Sequence, residues 1–541
     1  MAESDTRRWW ALGALSLSVL VVALDLFVLT LALPTLSADL HASSGDLQWF
    51  VVSYSLVQAA ALLPAGLLAD KIGRKRILLG ALVLFGLSSL ACAYSTSSGE
   101  LIAARAVLGL AGAVILPIAL AVLPVMFTAE ERPRAIAVVG GSTFLGYPIG
   151  PILGGWLLDH FWWGSVFLIN VPVVVIALIA VTALMPESKG VSRFSLDTIG
   201  ILISSAGLVL ITFGVIRASN YGWSNAEAIA TMVTGVVVLA AFVGWERLAT
   251  RREQRKSSRV LPLVDLSLFN SAGFTWGTVL ATLVSFALFG LVFAMPQYFL
   301  DVRGLDSLGA GIRMLPMIGG LAIGLGIGQR LQTPRKRRGS DDQQAAGPGV
   351  PLVSRKVIIA VGFAIMAVAL AVGAGTTVAS GTGFAAAWFA ITGFGLGLSM
   401  PTALNIALDA LSPERSGSGS ALITAMRQVG GTIGVAVLGT VLATAYQSRL
   451  ILTGLSSREA TAIKNSVAGG VAAARTAKSA RLLDVVRTAY VHGLDTMLWV
   501  CAGIAIVSAV LGLIFVPRWQ AQAAQQTEGD DAAASEIASV S

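Results

Sequence analysis

Gly66-Leu-Leu-Ala-Asp70-Lys-Ile-Gly73-Arg74-Lys75-Arg76 joins two uncharged apolar runs, residues 48–68 and 77–96. Each run can cross a bilayer as a helix, which takes about 20 residues. Gly66 and Gly73 permit a tight turn between closely packed helices. Asp70 stands four residues before Arg74, where it can bridge to it within a turn or reach a neighbouring helix. Five charges crowd into seven positions here, and none lies in either flanking run. That is the pattern of a membrane hairpin whose basic loop stays on the inner side.

Outward from this hairpin, the same pattern repeats along the chain. Fourteen apolar runs are expected to span the membrane: 9–33, 48–68, 77–96, 101–127, 134–158, 163–185, 198–217, 227–247, 272–299, 306–330, 356–376, 383–408, 417–446 and 491–516. The totals agree, with 55% of the 541 residues hydrophobic and 12% charged. A soluble domain carries about 25% charged residues. Too little charge remains for soluble surfaces, which excludes a soluble enzyme, a disordered chain and a disulfide scaffold. Long apolar runs satisfy their backbone in lipid as helices, so the class is an all-α polytopic membrane protein. A net charge of +8 reads as basic inner loops and not as a nucleic-acid surface. Cys92 and Cys501 sit in apolar runs and read as packing residues.

Lys and Arg placement sets the expected orientation. With the N-terminus inside, the inner segments hold Arg7, Arg8, Lys71, Arg74, Lys75, Arg76, Arg132, Arg134, Lys189 and Arg193. Later inner loops hold Arg251, Arg252, Arg255, Lys256, Arg259 and the run Arg335–Arg338. The first three outer loops, near Asp39, Glu100 and Asp159, hold no Lys or Arg. The outer connection 447–490 dissents with seven basic residues, but charge weighs less in long loops. Its composition is helical, and it reads equally as short helices folded over the external mouth or as a solvated loop. Residues 331–354 read as a flexible inner loop, and the tail beyond Arg518 as disordered.

Loops and motifs repeat. The short basic loop between spans two and three has a basic counterpart at 331–355 in the second half. "GYPIGPILGG" (Gly146–Gly155) in the fifth span matches "GGTIGVAVLG" (Gly430–Gly439) in the later half. The expected organisation is a six-helix bundle over 1–190 and a linker pair over 191–260. A second six-helix bundle follows over 261–518, carrying the extracytoplasmic segment 447–490, with a cytoplasmic tail over 519–541.

Asp25 is the one carboxylate that falls well inside a span. It lies sixteen residues beyond Trp9, about 24 Å along a helix rising about 1.5 Å per residue. Inserting it costs roughly 2.5–3.5 kcal/mol, so an intramembrane acid implies a functional site, here a carboxyl protonatable near neutral pH. Arg105 in the fourth span comes to a similar depth from the outer side, and its long side chain is expected to reach Asp25. The other reading is that Arg105 snorkels to the interface. Arg427, with Gln428, lies ten residues into the thirteenth span and should face a cavity or a partner helix. Tyr54, Gln58, Phe144, Trp276, Phe286 and Trp388 are candidate cavity residues, because aromatic faces bind organic cations. Gly146, Pro148, Gly150, Pro151, Gly154 and Gly155 let the fifth span bend and approach its neighbours. His41, His160 and His492 fall on outer ends. No phosphate-binding Gly-x-x-x-x-Gly-Lys-[Ser/Thr] loop, metal-ligand cluster or catalytic triad is present, so neither an enzyme nor a bound cofactor or metal is expected.

The string Gly66–Arg76 resembles the signature loop of the major facilitator superfamily. "LDLFVLTLALP" (Leu24–Pro34) resembles the first-helix motif of its fourteen-helix drug:proton antiporters. "LIAARAVLGLAGA" (Leu101–Ala113) resembles their fourth-helix motif, with Leu108 where many members have Gln. Gly146–Gly155 resembles the antiporter motif of the fifth helix, and "WWGSVFLINVP" (Trp162–Pro172) also fits. The chain is most similar to exporters of quaternary ammonium antiseptics and methyl viologen. The resemblance implies a 6 + 2 + 6 major facilitator fold acting as a monomer in the cytoplasmic membrane. It implies a gate motif at Gly66, Asp70, Gly73 and Arg74, which latches the cytoplasmic side in one conformer. It implies a leak seal at Gly146–Gly155 and proton coupling at Asp25, where a lipophilic cation competes with the proton. Partners would be drug-like molecules, protons and lipid. Some members carry further acids in their later helices, and none is expected in those of this chain.

Overall fold

The computed structural model describes residues 2–128, 131–188, 197–254, 266–332, 353–411, 416–452 and 456–517. The inner loop 331–354 and the tail lie almost wholly outside the described residues.

Within the first half the helices are α1 (Ala2–Asp39), α2 (Ser44–Ile72), α3 (Arg74–Ala93), α4 (Ser98–Met126), α5 (Arg132–His160), α6 (Ser165–Leu168) and α7 (Asn170–Leu184). The linker pair is α8 (Thr198–Tyr221) and α9 (Ala226–Gln254). The second half holds α10 (Ala272–Gln297), α11 (Ser307–Gln332), α12 (Arg355–Gly373), α13 (Thr382–Asp409) and α14 (Ser416–Ser448). Two short helices, α15 (Ser457–Asn465) and α16 (Val467–Thr476), then precede α17 (Ala480–Phe515). Among the described residues twelve spans are long and apolar enough to cross a membrane, with α6 and α7 making one of them. Adding α2 and α5, each 29 residues, brings the count to fourteen in a 6 + 2 + 6 order.

Local chemistry explains the ends. Ser43 caps α2 in a reciprocal box with Asp46, and Gly73 turns α2 into α3 at a φ of 128°, where a side chain would be strained. Pro172 has no N–H to offer the carbonyl of Leu168, four residues back, and the sixth span breaks there into α6 and α7.

The fold contains a repeat in atomic detail. Leu24–Pro34 of α1 and Phe286–Pro296 of α10 are identical at five of eleven positions when Pro34 is set on Pro296. On α5, a Cβ at Gly150 would come 2.7 Å from Phe27 Cβ of α1; on α14, one at Gly434 would come 2.3 Å from the Phe286 carbonyl of α10. Only hydrogen at these positions lets the helix backbones approach so closely.

The halves meet at the end of the bundle that carries α15 and α16, here called the hairpin end. A Cβ on Gly155 of α5 would lie 2.6 Å from Leu308 Cα of α11, and one on Gly439 of α14 would lie 3.1 Å from Gln48 Cγ of α2. The Asp159 carboxylate accepts hydrogen bonds from the amides of Ser307 and Leu308, both at 3.0 Å. Thr440 donates to the Val215 carbonyl of α8 at 3.0 Å, which ties the linker pair to the second half. These contacts close the hairpin end.

Within segment 447–490, residues 457–465, 467–476 and 480–490 are helical and packed. Tyr446 donates to the Ile463 carbonyl at 2.8 Å, while Ser37 and Ser44 of the first half bond to Ser466 at 2.7 Å and to the Asn465 carbonyl at 2.6 Å. Ile463, Val467 and Val471 are buried. The last span begins at Ala480, eleven residues before the expected 491, because Leu482, Val486 and Tyr490 continue its buried face.

Candidate functional site

Asp25 and Arg105 lie in the interior of the first half. Arg105 Nη1 pairs with Asp25 Oδ2, and their side chains are 0% and 1% exposed, respectively. Arg105 also donates from Nε to the Phe50 carbonyl at 3.0 Å, and its guanidinium lies 4.6 Å from the Tyr54 ring centroid. A buried charge with a counter-charge and further hydrogen bonds meets the condition for tolerating apolar surroundings. Glycines bring the helices close enough: a Cβ at Gly109 of α4 would sit 2.2 Å from the Tyr54 carbonyl of α2.

The other Asp25 oxygen has a partner that the sequence did not single out. Asn170 Nδ2 donates to Asp25 Oδ1 at 3.1 Å and to Ser89 Oγ at 3.2 Å. Asn170 opens α7 just after the Pro172-induced break, which aims its amide into the bundle. It stands inside the quoted "WWGSVFLINVP" string, but an amide in an apolar run carries no charge to flag it.

The site is enclosed. Asp25 takes its partners from α4 and α7, with Ser89 of α3 behind them, while α5 meets α1 at Ala23, Leu24 and Phe27. In this conformer the Asp25 carboxylate is thus enclosed by helices of its own half.

The other candidates do not converge. Tyr54 is buried against Arg105, and Gln58 donates to its hydroxyl at 3.4 Å. Trp276 stacks on Phe515 of α17 with centroids 4.3 Å apart. Trp388 is buried beside Phe389, over Gly373 of α12. Phe286 is half-buried on α10, and the Phe144 side chain lies outside the described residues. Arg427 is half-buried where α10, α13 and α14 meet, donating to Ser285 Oγ at 3.4 Å and to Met400 Sδ at 3.8 Å.

At the opposite, basic end, the Gly73 turn docks onto its own half. Arg74 Nη1 donates to the Ala121 carbonyl of α4 at 2.7 Å, and Lys75 Nζ to the Thr182 carbonyl of α7 at 2.8 Å. Arg76 pairs with Glu187 at 3.6 Å. The Asp70 side chain lies outside the described residues; Gly66 has open space over its Cα. In the fifth span, Gly146, Gly150 and Gly154 face α1, whereas Gly155 and the Pro151 carbonyl face α11 of the other half.

Two acids in the later helices were missed. Asp301 was expected beyond the end of its span, but α10 continues through a π-helical turn, Tyr298–Val302, and buries it near Arg475 and Arg487. Asp495 was expected at a span's mouth and is carried fifteen residues into α17 by that helix's early start. Cys92 and Cys501 are both free and buried. His41 and His160 lie at helix ends, whereas His492 is half-buried within α17.

The profile of the Major Facilitator Superfamily matches residues 15–435. The "Multidrug efflux pump LfrA" of Mycolicibacterium smegmatis is 33% identical over 520 residues, covering 95% of this chain and 97% of that protein. The "Tetracenomycin C resistance and export protein" of Streptomyces glaucescens is 30% identical, covering 94% and 91%. The "Methyl viologen resistance protein SmvA" of Salmonella typhimurium is 30% identical, covering 90% and 93%. A solved bacterial homologue of the human lysosomal transporter Spinster, in an inward-facing conformation, superposes with a TM-score of 0.65 at 17% identity. It covers 94% of this chain and 97% of its own, and the likeness is one of fold alone.

Proposed function

The chain belongs to the major facilitator superfamily, a family of membrane transporters and not of enzymes, and from that premise we propose that it exports lipophilic, cationic drugs or antiseptics in exchange for protons. The membrane would be the bacterial cytoplasmic membrane. By the Lys/Arg asymmetry, both termini and the basic end are cytoplasmic and the hairpin end faces outward. The observation that carries proton coupling is the enclosed Asp25–Arg105 pair, a titratable acid at membrane depth with its counter-charge on another helix. Export of drugs is supported by relatives named for multidrug efflux and methyl viologen resistance.

In the proposed cycle, Asp25 takes a proton from outside while the hairpin end is open. Neutralising Asp25 removes half of the ion pair, so Arg105 loses its partner and the packing of α1 against α4 changes. The two halves then rock about the substrate site, and Asp25 releases its proton inward. Competition between proton and drug runs through this change of packing. Gln58, Phe286 and Arg427 remain the described residues proposed to meet substrate, beside Phe144. Gly66, Asp70, Gly73 and Arg74 act as the cytoplasmic latch, and Gly146–Gly155 as the seal. The unit is a monomer in lipid, and nucleic acid plays no part.

A narrower reading, export of one endogenous product such as an antibiotic or a lipid, is favoured by the relative named for tetracenomycin C export. Resistance profiles across chemically unrelated cations separate the two, since broad protection supports multidrug export. The central test is ethidium transport in everted vesicles with and without a proton gradient. Asp25→Asn is expected to fold, reach the membrane and lose gradient-driven transport; sustained active efflux by this variant rejects the coupling role.

A further inference from the structure

The two oxygens of Asp25 have different surroundings. Oδ2 faces Arg105, and Oδ1 accepts from Asn170 at 3.1 Å. A guanidinium only donates, so a proton on Oδ2 and Arg105 in its present place exclude each other. Oδ1 has no such conflict, because a protonated carboxyl keeps a carbonyl oxygen that still accepts from an amide. Asn170 is itself held. Its amide donates to Ser89 Oγ at 3.2 Å, and both residues are fully enclosed.

We infer that Asn170 is a positioning residue for proton coupling: it tethers Asp25 through Oδ1 in both protonation states, and Oδ2, the oxygen shared with Arg105, is the atom that takes the proton. On protonation the O–H bond forms at Oδ2, the hydrogen bond from Arg105 Nη1 is given up, and the Asn170 bond to Oδ1 persists. Arg105 keeps its bond to the Phe50 carbonyl and its contact with the Tyr54 ring, so the guanidinium stays within the bundle as it lets go. The tether prevents the carboxyl from following it.

Among the described residues, the charged and titratable groups around Asp25 are Arg105 from α4, Tyr54 from α2 and Cys92 from α3. α7 contributes the Asn170 amide, and α5 faces α1 with Gly146 and Gly150. α10 has no titratable side chain between Ala272 and Pro296, and α16 bonds to α1 at Ser37, remote from the site. An N–H donated to a carboxylate is stronger than one donated to a neutral carbonyl. Asn170 therefore favours the charged form, and its loss moves proton release to higher pH.

This inference rests on the proton-coupling reading of Asp25, and the experiment separates the two. In purified protein, the infrared carboxylic-acid stretch that vanishes in Asp25→Asn is followed against pH. Asn170→Leu, branched alike but larger and without donors, is expected to raise the midpoint by about one unit or more. Ser89→Ala, which only loosens the amide, shifts it in the same direction by less. Asn170→Asp, which adds a like charge, shifts it further than Leu. The pH profile of dye efflux moves with the midpoint. An unchanged midpoint in Asn170→Leu and Asn170→Asp overturns the tether. If Asn170→Leu fails to assemble, Asn170→Asp and Ser89→Ala decide by the same midpoint. Gradient-driven efflux by Asp25→Asn overturns the coupling reading itself.

Discussion

Asp25 and Arg105 form an ion pair whose side chains are all but fully enclosed, so each depends on the other. Removing one partner of such a pair costs about 3–5 kcal/mol, whereas replacing both by neutral groups costs far less. Arg105→Ala is thus expected to be among the most destabilising single changes in the first half. Asp25→Asn combined with Arg105→Gln should cost clearly less than the two singles summed. Thermal unfolding in detergent measures this, and additive losses would mean that the residues do not act as a unit. The pair was legible because a charge in an apolar run stands out against its neighbours. Asn170 and Ser89 were not, since an uncharged polar side chain in a helix can bond locally, face a partner or do neither. Trp276 and Trp388 fall on the same limit. A large aromatic suits lipid, core and cavity alike, and only the positions of Phe515 and Gly373 decide among them.

At the scale of elements, the fifth span does two jobs with two adjacent faces. Gly146, Gly150 and Gly154 seat it on α1, and the neighbouring row, with Gly155 and Asp159, engages α11. The start of α11 is capped twice. Asp306 accepts from the Gly309 amide at 3.0 Å, and Asp159, from the other half, takes the amides of Ser307 and Leu308. Such a cap is worth about 0.5–2 kcal/mol. Here it exists only while the hairpin end is closed, so it stabilises that conformer alone. Asp159→Ala should lower the ratio of closed to open by a few-fold up to about thirtyfold. A Ser307→Cys reporter keeps its backbone amide, and its labelling rate by a hydrophilic maleimide should rise accordingly. An unchanged rate removes the cap from the gate. The segment 447–490 shows what helical composition leaves open. Its helices were readable from spacing, but their docking depends on Ser37, Ser44 and Tyr446, which lie elsewhere in the chain. The Ser456 hydroxyl and amide hold the Glu459 carboxyl of α15 below the usual range. That cap contributes above the unfolded value and is lost as pH falls through the lowered one. Acidification should therefore speed proteolysis near Ser456, and Glu459→Gln should remove that pH dependence.

At the scale of the whole molecule, the repeat is close in packing and broken in chemistry. α5 sits on α1 as α14 sits on α10, down to Gly150 and Gly434 meeting the Leu24 and Phe286 carbonyls that the Pro34–Pro296 match makes equivalent. Yet the position matching Asp25 is Ala287. The moving parts are duplicated while the Asp25–Arg105 pair has no counterpart at the matching position. Such an arrangement predicts that the two interfaces at the hairpin end, α5 with α11 and α2 with α14, open and close together although one half carries that pair. Asp159→Cys with Ser307→Cys tests one interface, and Gln48→Cys with Gly439→Cys tests the other. The Asp159 carboxylate reaches the Ser307 amide at 3.0 Å, and a Cβ at Gly439 would come 3.1 Å from Gln48 Cγ, which brings each pair within disulfide reach. The native Cys92 and Cys501 are buried and leave the background clear. Oxidation of either pair should abolish dye efflux, and reductant should restore it. If the halves rock as rigid bodies, a lock at one interface should also protect a single cysteine at the other from labelling. A lock at α2–α14 that stops transport while α5–α11 stays freely labelled would mean that the halves bend, and rigid rocking would have to be abandoned.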